Sequence, residues 1–198
     1  MADCPVVYLF GHSFVSRLFR EAQRRNQSVK DLIGLHDYQC DLCVEGHPGL
    51  TFDRLFEGAD HYCSKMQRRP IDTLILDLGT NDLCNPDITP SVLIQKIQRF
   101  LSLLEVRGIS PRCIVFLSVL QRSRLTRAGQ VNLPTYNHRA RRFNEIMRRR
   151  IQEYPNVYQY HQRKINYTRY LVDGCHLTTE GIIKYGRGVK ECATRYCR

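Results

Sequence analysis

The chain has 198 residues, of which 42% are hydrophobic and 25% charged, with a formal net charge of +11. That length is enough for one domain, residues 1–198, with a well-buried core, and the composition excludes disordered, fibrous and collagen-like classes. No apolar stretch approaches the roughly 18–20 residues of a membrane span, and Met1-Ala2-Asp3-Cys4-Pro5 does not read as a secretory signal.

Residues 4–10 form an apolar run expected to be a buried strand, and Phe14-Val15-x-x-Leu18-Phe19 then has helical spacing that ends near Arg25-Asn26. Tyr38 to Val44 reads as a second strand, stopped by the turn-rich segment Glu45-Gly46-His47-Pro48-Gly49. Helical spacing resumes around Phe52-x-x-Leu55-Phe56. Ile71 to Leu78 is mostly apolar, as expected of a central parallel strand buried on both faces, and ends at Gly79-Thr80-Asn81-Asp82. Thr89 or Ser91, with Pro90, opens a helix whose apolar face carries Val92, Leu93, Ile97, Phe100, Leu101 and Leu104, and Gly108 ends it. Cys113 to Leu120 is a further strand, and Gln121 to Leu133 a polar loop. Tyr136 to Tyr154 is a helix with Ala140, Phe143, Met147 and Ile151 on its stripe. Pro155-Asn156 breaks it before a short strand, Val157 to Tyr160. A loop runs to Asp173, and Thr178 or Thr179 caps a last helix to about residue 195.

Alternation of strand and helix without a composition break predicts one α/β domain. The expected architecture is a three-layer α/β/α sandwich, flavodoxin-like, around a five-stranded, mainly parallel sheet. In such sheets the site lies beyond the carboxyl ends of the strands, which puts the turns at Ser13, Gly49 and Asn81 on one edge.

Those turns hold suitable chemistry. A serine leaving a strand is a nucleophile if a histidine takes its proton and a carboxylate orients that histidine. Asp173 and His176, three residues apart before the last helix, can meet as such a couple. Gly49 lacks a side chain, so its N–H can approach a substrate oxygen, and the Asn81 amide can donate to an oxyanion. Each signal has a plainer reading: Ser13 as a helix cap, Gly49 as a simple turn, Asn81 as an Asx-turn or cap, Asp173 as a helix-start acid. Val15 stands where a Gly-x-Ser-x-Gly elbow needs glycine, which argues against the α/β-hydrolase arrangement. His12, His47 and His138 are weaker candidates for the base; His12, adjacent to the serine, is expected to point elsewhere. Leu83, Cys84 and Leu125 are expected to border the acyl pocket.

Taken together and in order, the blocks Gly11-His12-Ser13-Phe14, Gly46 to Thr51, Gly79-Thr80-Asn81-Asp82 and Asp173-Gly174-Cys175-His176, with Leu177 and Gly181 after them, resemble the SGNH (GDSL-type) hydrolase superfamily. The first, third and last also resemble single-domain SGNH proteins of invertebrate animals, some of them associated with retroelements. The resemblance implies Ser13 as nucleophile and first oxyanion donor, Gly49 and Asn81 as the other donors, and His176 as base oriented by Asp173, with no metal or organic cofactor. His12 stands where the family usually has Asp, a structural position. The second block is loose, so Gly46 and Gly49 can exchange roles.

The expected function is therefore a serine esterase that cleaves a small-molecule carboxylic ester through an acyl-enzyme on Ser13. The alternative is a binding module that contacts nucleic acid or protein through its basic surface. Arg142 and Arg149 share one exposed stripe of their helix and Arg141 and Arg148 the next, with Arg122, Arg124 and Arg127 in the loop before. The plain reading of that charge is a solvated face. The nine cysteines are expected to be thiols of a cytoplasmic protein, and Cys40-x-x-Cys43 lacks the second pair a zinc site needs.

Overall fold

The computed structural model describes residues 4–125, 131–162 and 165–196. Its elements in chain order are β1 (Val6–Gly11), α1 (Ser13–Arg24), α2 (Val29–Leu32), β2 (Asp41–Gly46), α3 (Phe52–Glu57), α4 (Ala59–Met66), β3 (Thr73–Asp77), α5 (Pro90–Val106), β4 (Cys113–Leu117), α6 (Leu133–Arg150), β5 (Val157–Tyr160), α7 (Tyr167–Tyr170) and α8 (Thr179–Tyr196). The strands form one sheet in the order β2-β1-β3-β4-β5, and every pairing is parallel.

Alternating side chains of the strands point to opposite faces and so build two cores. Tyr8, Phe10, Leu74, Leu76, Ile114 and Phe116 face one cluster, with Phe52, Leu93, Phe100, Phe143 and Met147 from α3, α5 and α6. Val7, Leu9, Ile75, Val115 and Leu117 face the other, with Phe14, Leu18, Tyr185 and Val189 from α1 and α8. A fully buried side chain such as Leu9, Phe10 or Leu74 contributes roughly 1.5–3 kcal/mol of transfer free energy. The three-layer α/β/α expectation is what the structure shows.

Local differences have identifiable causes. The second strand starts at Asp41 and runs through Glu45 and Gly46, because its parallel register with β1 continues to Gly11 opposite Gly46. Helix α6 starts at Leu133, three residues before Tyr136, since Asn132 accepts from the Thr135 N–H and Pro134 fits the first turn. Ile151 falls in a short 3-10 turn after α6. The strand expected over 113–120 ends at Leu117. On α5, Ile94 joins Leu93, Ile97, Phe100 and Leu104 in full burial, while Val92 and Leu101 are only partly covered. Helices α2 and α7 are one turn each, too short to leave a periodic pattern.

Candidate active site

Tight connections on the carboxyl edge of the sheet bring the first three sequence blocks together. The Gly11 carbonyl, at the end of β1, accepts from the His47 N–H at 2.8 Å. The Asn81 amide donates to the Leu50 carbonyl at 3.0 Å, and the Asp82 carboxylate accepts from the Phe52 N–H at 3.0 Å. The last block is tied to the segment after β4: the Gly174 carbonyl accepts from the Ser123 N–H at 3.1 Å, and the Cys175 thiol donates to the Arg124 carbonyl at 3.0 Å.

Ser13 is the first residue of α1, where backbone N–H groups lack partners within the helix and the helix dipole favours negative charge. Asp173 Oδ2 lies 2.6 Å from His176 Nδ1, and Asp173 Oδ1 accepts from the backbone N–H groups of His176 at 2.7 Å and Cys175 at 2.9 Å. Partial burial works against the carboxylate, but these hydrogen bonds, with the His176 imidazole foremost, outweigh it and hold Asp173 well below the usual carboxylate range. Among the described residues no hydrogen bond joins Ser13 to His176.

Gly46 and Gly49 are distinguished by their surroundings. A Cβ on Gly46 would lie 2.2 Å from the Ser16 N, so this glycine lets α1 lie against β2. Gly49 has φ +74°, and a Cβ there would meet nothing closer than the flexible end of Arg54 at 3.4 Å. Asn81 makes no side-chain cap on the 3-10 turn that follows it. Ser13, Gly49, Asn81, Asp173 and His176 are all partly exposed, between neighbours that are largely buried.

Several expectations need correction. His12 does not point away from the serine: its Nδ1 lies 3.4 Å from Ser13 Oγ and its Nε2 3.1 Å from Asp77 Oδ1, with the residue only 1% exposed. Asp77 Oδ2 accepts from the Tyr185 hydroxyl at 2.8 Å. Neither Asp77 nor Tyr185 has a sequence signal beyond being a polar group in an apolar element. His47 is engaged by Glu45 at 2.6 Å. Leu83 and Cys84 are core residues rather than pocket walls, because the turn after Asn81 folds inward; Leu125 is partly buried against that core. Arg122 is buried as well, with its guanidinium 4.9 Å from the Tyr136 ring centre and donating to the Cys84 thiol at 3.0 Å. Arg127 lies outside the described residues.

A cleft of about 760 Å³ lies between α6, β5 and α8 and shares no lining residue with Ser13, Gly49, Asn81, Asp173 or His176. Arg141, Arg148, Lys184 and Arg195 line it together with Glu145, Glu191 and Gln162, whose buried Nε2 has no partner among the described residues. Among the described residues no group of three or more His, Cys, Asp or Glu side chains is arranged to hold a metal ion, and no helix is long and apolar enough to cross a membrane.

No family model and no curated protein matches the sequence. Solved structures do match. A Bacteroides fragilis protein provisionally assigned as an acylhydrolase superposes with a TM-score of 0.75 at 12% identity, over 100% of this chain and 90% of that one. A carbohydrate acetylesterase family member from Sinorhizobium meliloti gives 0.70 at 19% identity, over 94% and 96%. A member of the lipolytic G-D-S-L family from Veillonella parvula gives 0.68 at 12% identity, over 96% and 98%. At such identities the likeness is one of fold, and the chain has the fold of the SGNH (GDSL-type) hydrolases.

Proposed function

We propose that the chain is a serine hydrolase of carboxylic esters, with Ser13 as nucleophile. The observation that carries this reading is the hydrogen-bonded Asp173–His176 couple, in a block tied to the segment after β4, together with Ser13 at the N-terminus of α1. The carboxylate accepts from Nδ1–H, so the neutral imidazole keeps its lone pair on Nε2. Nε2 takes the Ser13 proton as Oγ attacks the ester carbonyl, and their hydrogen bond forms as substrate binds. The oxyanion is received by the N–H groups of Ser13 and Gly49 and by the Asn81 amide hydrogen not used on Leu50. The imidazolium protonates the departing alcohol, then activates the water that releases the acid. Acylhydrolase and acetylesterase names among the fold neighbours support an ester substrate.

Turnover of p-nitrophenyl acetate tests this reading. Ser13→Ala and His176→Ala are each expected to lower steady-state kcat by at least about 1,000-fold. Equal rates in wild type and both variants would overturn it.

A second reading is favoured by the cleft between α6 and α8: an anionic partner such as single-stranded nucleic acid, held by Arg141, Arg148, Lys184 and Arg195. It is compatible with hydrolysis, because the two sites use different residues.

A further inference from the structure

We infer that His12, backed by Asp77 and Tyr185, is a second general base for Ser13, on the buried side of the serine. The inference rests on Ser13 being the nucleophile, as proposed above.

The geometry begins with Gly11. A Cβ there would fall 2.6 Å from the Asp77 carbonyl oxygen and 2.8 Å from the Asp77 Cβ, so only glycine lets the ends of β1 and β3 come this close. The His12 N–H then donates to the Asp77 carbonyl at 3.1 Å, and the ring folds back under the start of α1, edge-on to Phe14. His12 is the N-cap of α1, and its Nδ1 faces the Phe14 N–H at 3.4 Å. A backbone N–H can only donate, so Nδ1 carries the lone pair and Nε2 the proton in the neutral ring. Nε2 is directed to Asp77 Oδ1 at 3.1 Å, an ion-pair distance without the alignment of a straight hydrogen bond. Burial first, and then the adjacent Asp77, push the Tyr185 phenol far above its ordinary range, so it remains a donor to the other carboxylate oxygen. The Ser13 hydroxyl oxygen lies 3.4 Å from His12 Nδ1.

The two histidines differ in reach. Protonating His12 gives up the Phe14 cap and puts a cation at a helix N-terminus, and both effects oppose the transfer. The Asp77 carboxylate offsets them. His176, held by its carboxylate at 2.6 Å and partly exposed, reaches the leaving group; buried His12 does not. His12 alone therefore supports only acylation by an ester whose leaving group departs as an anion. In that step the Ser13 Oγ–H bond breaks and its proton moves to His12 Nδ1. Oγ bonds to the acyl carbon while the carbonyl electron pair moves to oxygen. That pair returns as the C–O bond to the aryl group breaks, and phenolate leaves with the bonding electrons. The imidazolium remains paired with Asp77. Deacylation needs a base at the bound water, which is His176.

The test is stopped-flow reaction of full-length protein with p-nitrophenyl acetate. His176→Ala is expected to release up to one equivalent of p-nitrophenolate in a burst and then stall, with acetylated Ser13 visible as a 42 Da increase (about one acetyl in place of a proton) in intact mass. Adding His12→Asn, which keeps an N-cap oxygen but no base, is expected to slow that burst at least about 100-fold. Asp77→Asn in the same background is expected to slow it about tenfold, and decides the matter if His12→Asn fails to fold by thermal melting. A folded His12→Asn/His176→Ala protein with an undiminished burst would overturn the inference. An active wild type whose His176→Ala variant gives no burst would overturn it alone. A wild type with no Ser13-dependent release of p-nitrophenolate would overturn the esterase reading as well.

Discussion

Asp173 accepts from the His176 ring and from two backbone N–H groups, so its proposed role in orienting the imidazole has a direct readout. Asp173→Asn keeps the size of the side chain but no longer favours the Nδ1–H tautomer. We expect kcat for p-nitrophenyl acetate to fall by about 10,000-fold with KM little changed, measured by steady-state kinetics. Because the carboxyl is held well below its ordinary range, loss of activity between about pH 5 and 7 must come from a group other than Asp173. At this scale the sequence carried residue types and spacing: Ser13, Asn81 and the Asp173–His176 pair were legible because each stands at a strand end or before a helix cap. The surroundings of His12 and Arg122 were not. A histidine next to a serine in sequence turns back on it only because Gly11 lets β3 lie close, and an arginine in a polar loop is buried only because Tyr136 and Cys84 come to it from other elements.

The turns after β2 and β3 separate architecture from activity. Gly46→Ala forces a Cβ against the backbone of α1, and we expect it to lower unfolding free energy by about 1–3 kcal/mol in urea titrations, whatever its effect on turnover. Gly49→Ala has space but an unfavourable left-handed backbone, costing about 1 kcal/mol, and is expected to lower kcat more than stability accounts for. Asp82, in the 3-10 turn after Asn81, gives a pH signature. Burial pushes its carboxyl up to about 6, against the Phe52 N–H and Lys96, which lower it. The folded chain thus keeps a proton that the unfolded chain releases near pH 4, and stability falls as pH rises from about 4 to about 6. Asp82→Asn is expected to flatten that slope, by up to roughly 3 kcal/mol across the window, in denaturant titrations at pH 4 and pH 7. Thr89 and Pro90 mark a helix start through local chemistry that sequence displays, whereas α6 starts after Asn132, three residues before the expected Tyr136. The start of β2 lacks such a mark, because Asp41 rather than Tyr38 opens the strand through its pairing with Val6.

For the whole molecule, the parallel order β2-β1-β3-β4-β5 places the turns carrying Ser13, Gly49 and Asn81 on one edge, and the cleft between α6 and α8 is built from other residues. If that cleft takes single-stranded nucleic acid, log affinity is expected to fall linearly with log salt. Arg141→Ala/Arg148→Ala should then reduce the slope by about 1.4 without changing ester turnover; affinity flat against salt would exclude phosphate contacts. The amino-acid sequence by itself determined the α/β class, the succession of strands and helices, and which residue types stand at the strand ends, because periodicity, caps and breakers act over a few neighbours. Long-range packing settled that Gly46 lets α1 lie against β2, that Arg122 is buried, and that His12 Nδ1 lies 3.4 Å from the Ser13 hydroxyl oxygen. Those outcomes depend on contacts between residues far apart in sequence, such as Asp77 with Tyr185 across 108 positions, which local pattern does not encode.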